Sequence, residues 1–313
     1  MKLTILDAQA VNPGDLSWDF FNKYAEVSVF QETPPELVAE RIGDSDAILL
    51  NKIKIDSDVI SKCPSLKYIG VMATGYNVID VEAVKKAGIV VSNIPAYSTS
   101  AVAQHTFALL LNFSNQVALH NESVLKGDWK KAPIFCYWKK PLFELEGKTL
   151  GIIGYGNIGK KVEQIALSFG MKVLVCPHRP NSKPNCVTLD ELYKQSDIIS
   201  LHVPLTKETA EIINKNSIPK MKDGVYIINT ARGGLINEKD MKAALESEKV
   251  SGYAADVLAE EPMTDSCELF KAKNCVLTPH IAWAPLETRK RCLETGIKNF
   301  EAWLKGKPQN TIW

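Results

Sequence analysis

Three short segments gather the side chains best suited to chemistry, and each follows an apolar run. They are Ile228-Asn229-Thr230-Ala231-Arg232-Gly233-Gly234, Ala255-Asp256-Val257-Leu258-Ala259-Glu260-Glu261-Pro262 and Leu277-Thr278-Pro279-His280-Ile281-Ala282-Trp283. A guanidinium can grip a carboxylate through two parallel donors. An imidazole can exchange a proton near neutral pH. A fourth stretch, Thr149 to Lys160, carries Gly-x-Gly-x-x-Gly at Gly154, Gly156 and Gly159. Its glycines suit a tight turn, close approach of a pyrophosphate to the backbone, and close packing of helix on strand. The helix that follows presents free N–H groups and partial positive charge to phosphates, at Gly156, Asn157 and Ile158.

The elements that must hold these groups can be read from the apolar periodicity. Leu150 to Ile153 reads as a buried strand, and Ile158, Val162, Ile165, Ala166 and Phe169 recur at helical spacing up to a stop at Gly170. Further strands are expected at Lys172 to Cys176, Asp197 to His202, Val225 to Asn229, Gly252 to Asp256 and Val276 to Leu277, with helices at Leu189 to Gln195 and Lys239 to Ser247. Six strands with intervening helices make a doubly wound, Rossmann-type dinucleotide domain, and the three polar segments fall at strand ends, where such sheets bind ligands. The first part alternates in the same way: strands at Leu3 to Leu6, Val27 to Phe30, Ala47 to Leu50, Leu66 to Val71 and Ile89 to Val91 imply a second, smaller parallel-sheet domain of flavodoxin-like type without a phosphate fingerprint. The fold class is therefore α/β, with two parallel-sheet domains and a cleft between them. Residues 1–97 form the smaller domain, completed by 287–313, where a final helix, Glu287 to Leu304, returns to it. Residues 98–286 form the dinucleotide domain. Ser98 to Leu125 reads as a long helix, apolar on most sides, buried either in the core or in a subunit interface. His105 and His120 lie in it and read as packing or surface residues.

Composition narrows the partners. A chain that is 45% hydrophobic and 23% charged with net charge +1 has no call for nucleic acid or an anionic membrane. No apolar run is long enough to span a bilayer. The start, Met1-Lys2-Leu3-Thr4-Ile5, enters a strand without a leader pattern, and the seven cysteines include no Cys-x-x-Cys pair. Reduced thiols, a cytoplasmic location and no metal site are expected.

The end of the second dinucleotide strand selects the cofactor. A carboxylate there would accept from a ribose 2′-hydroxyl, but Pro177-His178-Arg179-Pro180 supplies an arginine instead. NADP(H) is favoured, with His178 and Arg179 near the 2′-phosphate; NAD(H) stays open if Arg179 faces solvent.

Over essentially its whole length the chain resembles the D-isomer-specific 2-hydroxyacid dehydrogenase family, which the glycine fingerprint and the three polar segments match in order and spacing. Phe135-Cys136-Tyr137-Trp138 and His280-Ile281-Ala282-Trp283 further resemble its glycerate dehydrogenase, or hydroxypyruvate reductase, branch. The resemblance implies a substrate-binding Arg232, a partner carboxylate Glu261 and an acid/base His280, acting on a small 2-oxo or D-2-hydroxy acid. It places Thr74, Gly75 and Tyr76, in Met72-Ala73-Thr74-Gly75-Tyr76-Asn77, in a loop that donates backbone N–H groups to the substrate carboxylate. It puts His202, Pro204, Thr209, Thr230 and Asp256 around the cofactor. It implies a homodimer paired through the segment from Ala101 to Leu125 and the aromatic arm after it. Lactate and 3-phosphoglycerate dehydrogenases share the family, and a dinucleotide-sensing corepressor shares the fold. A scaffold has no need of Arg232, Glu261 and His280 together.

Overall fold

The computed structural model describes residues 1–177 and 185–313. In chain order the first elements are β1 (Lys2–Ile5), α1 (Ala8–Val11), β2 (Glu26–Val29), α2 (Val38–Ile42), β3 (Ala47–Leu50), α3 (Ser57–Lys62), β4 (Tyr68–Val71), α4 (Val81–Lys86) and β5 (Val90–Ser92). There follow α5 (Thr99–Asn115), α6 (Val117–Leu125), β6 (Thr149–Ile153), α7 (Asn157–Ser168), β7 (Lys172–Cys176), α8 (Leu189–Gln195), β8 (Ile198–Leu201), β9 (Val225–Asn229), α9 (Glu238–Glu246), β10 (Val250–Ala255), β11 (Cys275–Leu277) and α10 (Leu286–Leu304). The chain divides into two compact units, Met1–Ser98 with Ala284–Trp313, and Thr99–Trp283.

The first unit is a five-stranded sheet of order β2-β1-β3-β4-β5, all pairs parallel. Its central strands β3 and β4 are buried throughout, as a sheet covered on both faces requires. Side chains of α10 complete one face. Phe300 meets Phe21 edge-on with centroids 5.4 Å apart, and Trp303 stacks on Tyr68 at 4.8 Å. Arg289 of α10 holds Asp15 through two donors at 2.6 Å.

The second unit is a six-stranded parallel sheet, β11-β10-β9-β8-β6-β7. The chain order reverses between β6 and β8, which is where a doubly wound sheet opens a ligand crevice. One face is covered by α8 and α9, the other by α5 and α7. The expected fold class, two parallel-sheet α/β domains, is the observed one.

The long helix expected from Ser98 to Leu125 is two helices. Gln116, at φ 51° and ψ 37°, lies in the left-handed region and separates α5 from α6. A residue there costs backbone energy unless its surroundings hold it. The Gln116 amide donates to the Phe113 carbonyl at 3.2 Å. The apolar side chains of α5 are core: Ala103, Phe107, Leu110 and Phe113 are buried, and Phe107 stacks on Phe169 at 5.4 Å. Those of α6 are not, since Val117 is 69% and Leu125 78% exposed.

Candidate active site

The glycine loop sits at the reversal point of the second sheet. Gly154 has φ +95°, and a Cβ there would stand 2.5 Å from the His202 carbonyl. Only glycine suits both the conformation and the approach of the β8 chain. At Gly159 a Cβ would fall 2.3 Å from the Gly154 carbonyl oxygen, so its absence lets α7 start against β6. Gly156 caps α7 and has no side chain bonded across the first turn, and a Cβ on it would meet nothing within 4 Å. Asn157 and Ile158 then open the helix. Tyr155, inside the loop, donates to Glu163, which also accepts from Asn185 Nδ2 at 2.8 Å. His178 and Arg179 lie outside the described residues.

The turn after β8 is held by its own side chains. Thr209 Oγ1 donates to the Pro204 carbonyl at 2.7 Å and accepts from the Thr206 N–H at 2.8 Å. His202 bonds Ser200 Oγ through Nε2 at 2.8 Å, while its Nδ1 is buried with no hydrogen-bond partner among the described residues. Burial pushes the imidazole down to about 3, so it is neutral at physiological pH. After β9, the Asn229 side chain closes the next turn, accepting from the Ala231 N–H at 3.0 Å and donating to the Arg232 carbonyl at 2.9 Å. Thr230 is buried, with its hydroxyl 3.0 Å from Thr106 Oγ1 on α5. Arg232 is half-buried, and its Nη1 donates to the Ala231 carbonyl at 2.7 Å.

Two loops farther along the sheet bring the remaining groups together. His280 Nδ1 lies 2.6 Å from Glu261 Oε2, with the side chains 25% and 34% exposed. Glu261 is steadied by its other oxygen, which accepts from the Leu258 N–H at 3.0 Å. His280 has φ 54°, a left-handed turn that aims its ring. Arg232 is tied to the same loop through its neighbour: a Cβ on Gly233 would lie 1.8 Å from the Leu258 carbonyl carbon.

The turn bearing His280 rests on Asp256. That carboxylate is 1% exposed. Its Oδ1 accepts from Thr278 Oγ1 at 2.6 Å and the Ile281 N–H at 2.9 Å, and Oδ2 from the Ala282 N–H at 2.7 Å. Asp256, which the resemblance places near the cofactor, holds the His280 turn with both oxygens.

In the first unit the loop after β4 places Thr74 with its hydroxyl on the Ile94 carbonyl at 2.7 Å and its own carbonyl accepting from Asn93 Nδ2 at 2.7 Å. Gly75 is half-buried and Tyr76 is 38% exposed. The neighbouring loop after β3 hangs on Asp7, which accepts from the N–H groups of Asn51 at 2.8 Å and Lys52 at 2.7 Å. Burial pushes the Asp7 carboxyl up to about 6, against the pull of those backbone donors.

Comparison with known proteins gives the family. The sequence pattern of the D-isomer specific 2-hydroxyacid dehydrogenase, NAD binding domain, matches residues 107–282. The chain belongs to the D-isomer specific 2-hydroxyacid dehydrogenase family. It is 47% identical to a hydroxypyruvate reductase of Blautia hydrogenotrophica, over 100% of this chain and 99% of that one. It is 37% identical to a glycerate dehydrogenase of Methylorubrum extorquens, over 99% and 98% of the two chains. A solved structure of an acyclic imino acid reductase in complex with NADPH and D-Arg superposes with a TM-score of 0.88, at 34% identity and full coverage of both chains.

The dehydrogenase is thus an oxidoreductase with an NAD-binding domain, and its residues fit a dinucleotide. The uncapped first turn of α7 and the open space over Gly156 leave room for phosphate oxygens on helix N–H groups. No helix among the described residues is long and apolar enough to cross a membrane, and no group of three or more potential metal-ligating side chains was found among them. One participant escaped the sequence reading. His105 of α5, read there as packing or surface, has Nε2 2.9 Å from Thr278 Oγ1 and 3.5 Å from Asp256 Oδ1. It braces the His280 turn across 173 residues of chain. No local pattern could have announced that contact.

Proposed function

We propose that this dehydrogenase reduces a small 2-oxo acid, with hydroxypyruvate and glyoxylate the first candidates, and that it favours NADPH over NADH. The observation that carries the reading is the 2.6 Å contact between His280 Nδ1 and Glu261, on a loop packed against the residue after Arg232. With Nδ1–H donating to the carboxylate, Nε2 is the nitrogen left to exchange a proton with substrate. Arg232 holds the substrate carboxylate through two donors and polarises the adjacent carbonyl. A nicotinamide cofactor held at the glycine loop would supply the hydride that the carbonyl carbon takes up. His280 gives its Nε2 proton to the oxygen on which negative charge develops, and Glu261 stabilises the imidazolium before that transfer. The first unit serves as the substrate domain, with the backbone N–H groups of Thr74, Gly75 and Tyr76 as its candidate carboxylate donors. Thr99–Trp283 serves as the dinucleotide domain, with Gly154, Gly156 and Gly159 at the pyrophosphate and the Thr209 turn beside it.

Three further points belong to this reading. The similarity to a hydroxypyruvate reductase along the full chain supports the substrate. The absence of any carboxylate from Pro177 to Asn185 supports NADPH, as does the relative solved with that cofactor. The exposed apolar side chains of α6 and the following arm, Leu125 at 78%, Phe135 at 87% and Trp138 at 66%, support a cytoplasmic homodimer that covers them. A screen of 2-oxo acids with NADPH and NADH tests the reading. Absence of hydroxypyruvate and glyoxylate reduction with either cofactor overturns it.

A further inference from the structure

Glu238 opens α9 and has no part in the chemistry above, yet both its oxygens face the loop that carries Glu261. Oε1 accepts from the Ala259 N–H at 2.9 Å. Oε2 accepts from Cys267 Sγ at 3.8 Å. An acidic residue in a first turn is favoured by the helix dipole alone. That does not explain a carboxylate turned from its own helix toward two points of another loop. Nor is the side chain spent on charge pairing along α9, because Lys242, one turn on, pairs with Glu268 at 2.9 Å. The loop from Leu258 to Glu261 is therefore pinned at successive residues. Gly233 abuts Leu258, Glu238 holds Ala259, and the Leu258 N–H holds Glu261.

We propose that Glu238 is a positioning residue for the Glu261–His280 pair: it fixes the main chain at Ala259 so that Glu261 stays on His280 Nδ1. The inference rests on His280 being the proton donor. Misplacing a catalytic group by about 1 Å can cost a hundredfold in rate. Glu238 acts one step removed, so the expected loss is smaller.

The test uses Glu238→Ala, Glu238→Asp and Glu238→Gln in the full chain. The readouts are kcat for hydroxypyruvate reduction across pH, and the dissociation constant of NADPH. Glu238→Ala is expected to lower kcat by roughly tenfold and to move the alkaline decline of kcat to lower pH. NADPH affinity stays at the wild-type value. Glu238→Asp keeps the charge at the start of α9 but draws the oxygens back by one methylene, so it should behave as alanine even if the alanine variant folds poorly. Glu238→Gln keeps an oxygen for Ala259 and should retain most of the wild-type turnover. An unmoved pH profile in the alanine and aspartate variants, or a glutamine variant as impaired as alanine, overturns the inference. Glu261→Gln separates the two levels. If it shifts the decline while the Glu238 variants do not, only the role of Glu238 falls; if it shifts nothing, the role of Glu261 as charge partner of His280 falls and that of Glu238 with it.

Discussion

Replacing Glu261 by glutamine removes one charge and almost no volume, so it isolates what the carboxylate does for His280. The amide oxygen can still accept from Nδ1–H, and orientation is kept. What is lost is attraction to the imidazolium. Two unit charges about 4 Å apart gain about 1 kcal/mol in water and about 4 kcal/mol at an effective dielectric of 20. The side chains are 25% and 34% exposed, so the pair falls between these limits. A value of about 2 kcal/mol is about thirtyfold in an equilibrium constant. Reduction needs the protonated ring, so kcat at alkaline pH should fall by up to that factor. Turnover well below the transition should remain close to wild type. Steady-state oxidation of NADPH at saturating hydroxypyruvate, followed across pH, reads both quantities. A glutamine variant whose decline lies where the wild type's does would show that the 2.6 Å contact only holds the ring in place.

Arg232→Lys keeps the charge but loses the fork, so the Michaelis constant for the 2-oxo acid should rise by about tenfold or more, read from initial rates, while NADPH affinity holds. Gly233→Ala would set a methyl 1.8 Å from the Leu258 carbonyl carbon. Overpacking against a fixed backbone costs about 1–3 kcal/mol or more, measurable as a lower melting temperature together with reduced turnover. Asp7 titrates at about 6 in the fold against 3.8 as its ordinary value, so its protonated form favours the native state. Its contribution is full below the ordinary value and is lost as pH rises through 6. Lowering the pH from 7 to 5 should therefore stabilise the wild type relative to Asp7→Asn by about 1 kcal/mol in paired thermal melts; a constant difference would refute that burial. 

Much of this architecture was legible because it is periodic. The buried strands are continuous apolar runs, and α7 shows its core stripe at Val162 and Ala166, both with no exposed surface. The glycine loop was legible because its spacing answers to a local geometric need. The break at Gln116 was not, since nothing local forces a glutamine into a left-handed turn; its neighbours in space do. The same limit explains why Arg232, Glu261 and His280 could be named while their supports could not. Asp256 looked like a ligand-facing carboxylate because a strand end is where such groups gather. Its partners within the fold are the Thr278 hydroxyl and main-chain N–H groups 25 and 26 residues on. His105 and Glu238 act through single long-range contacts, and one contact leaves no repeat in a sequence.

The first unit is made of two separated stretches of chain, and this sets an order on its assembly. During synthesis all five strands of its sheet emerge before the 185-residue segment Thr99–Trp283, and α10 only after it. Until then Phe21 and Tyr68 lack the rings of Phe300 and Trp303 that cover them in the finished protein. The second unit, being continuous, can close first. The nascent dehydrogenase therefore carries an uncovered aromatic face on the ribosome for most of its elongation, a sticky surface that holdase chaperones are suited to shield. A chain cut short before Leu286 would retain the whole glycine loop and the Glu261–His280 contact yet keep that face open, a surface prone to aggregation.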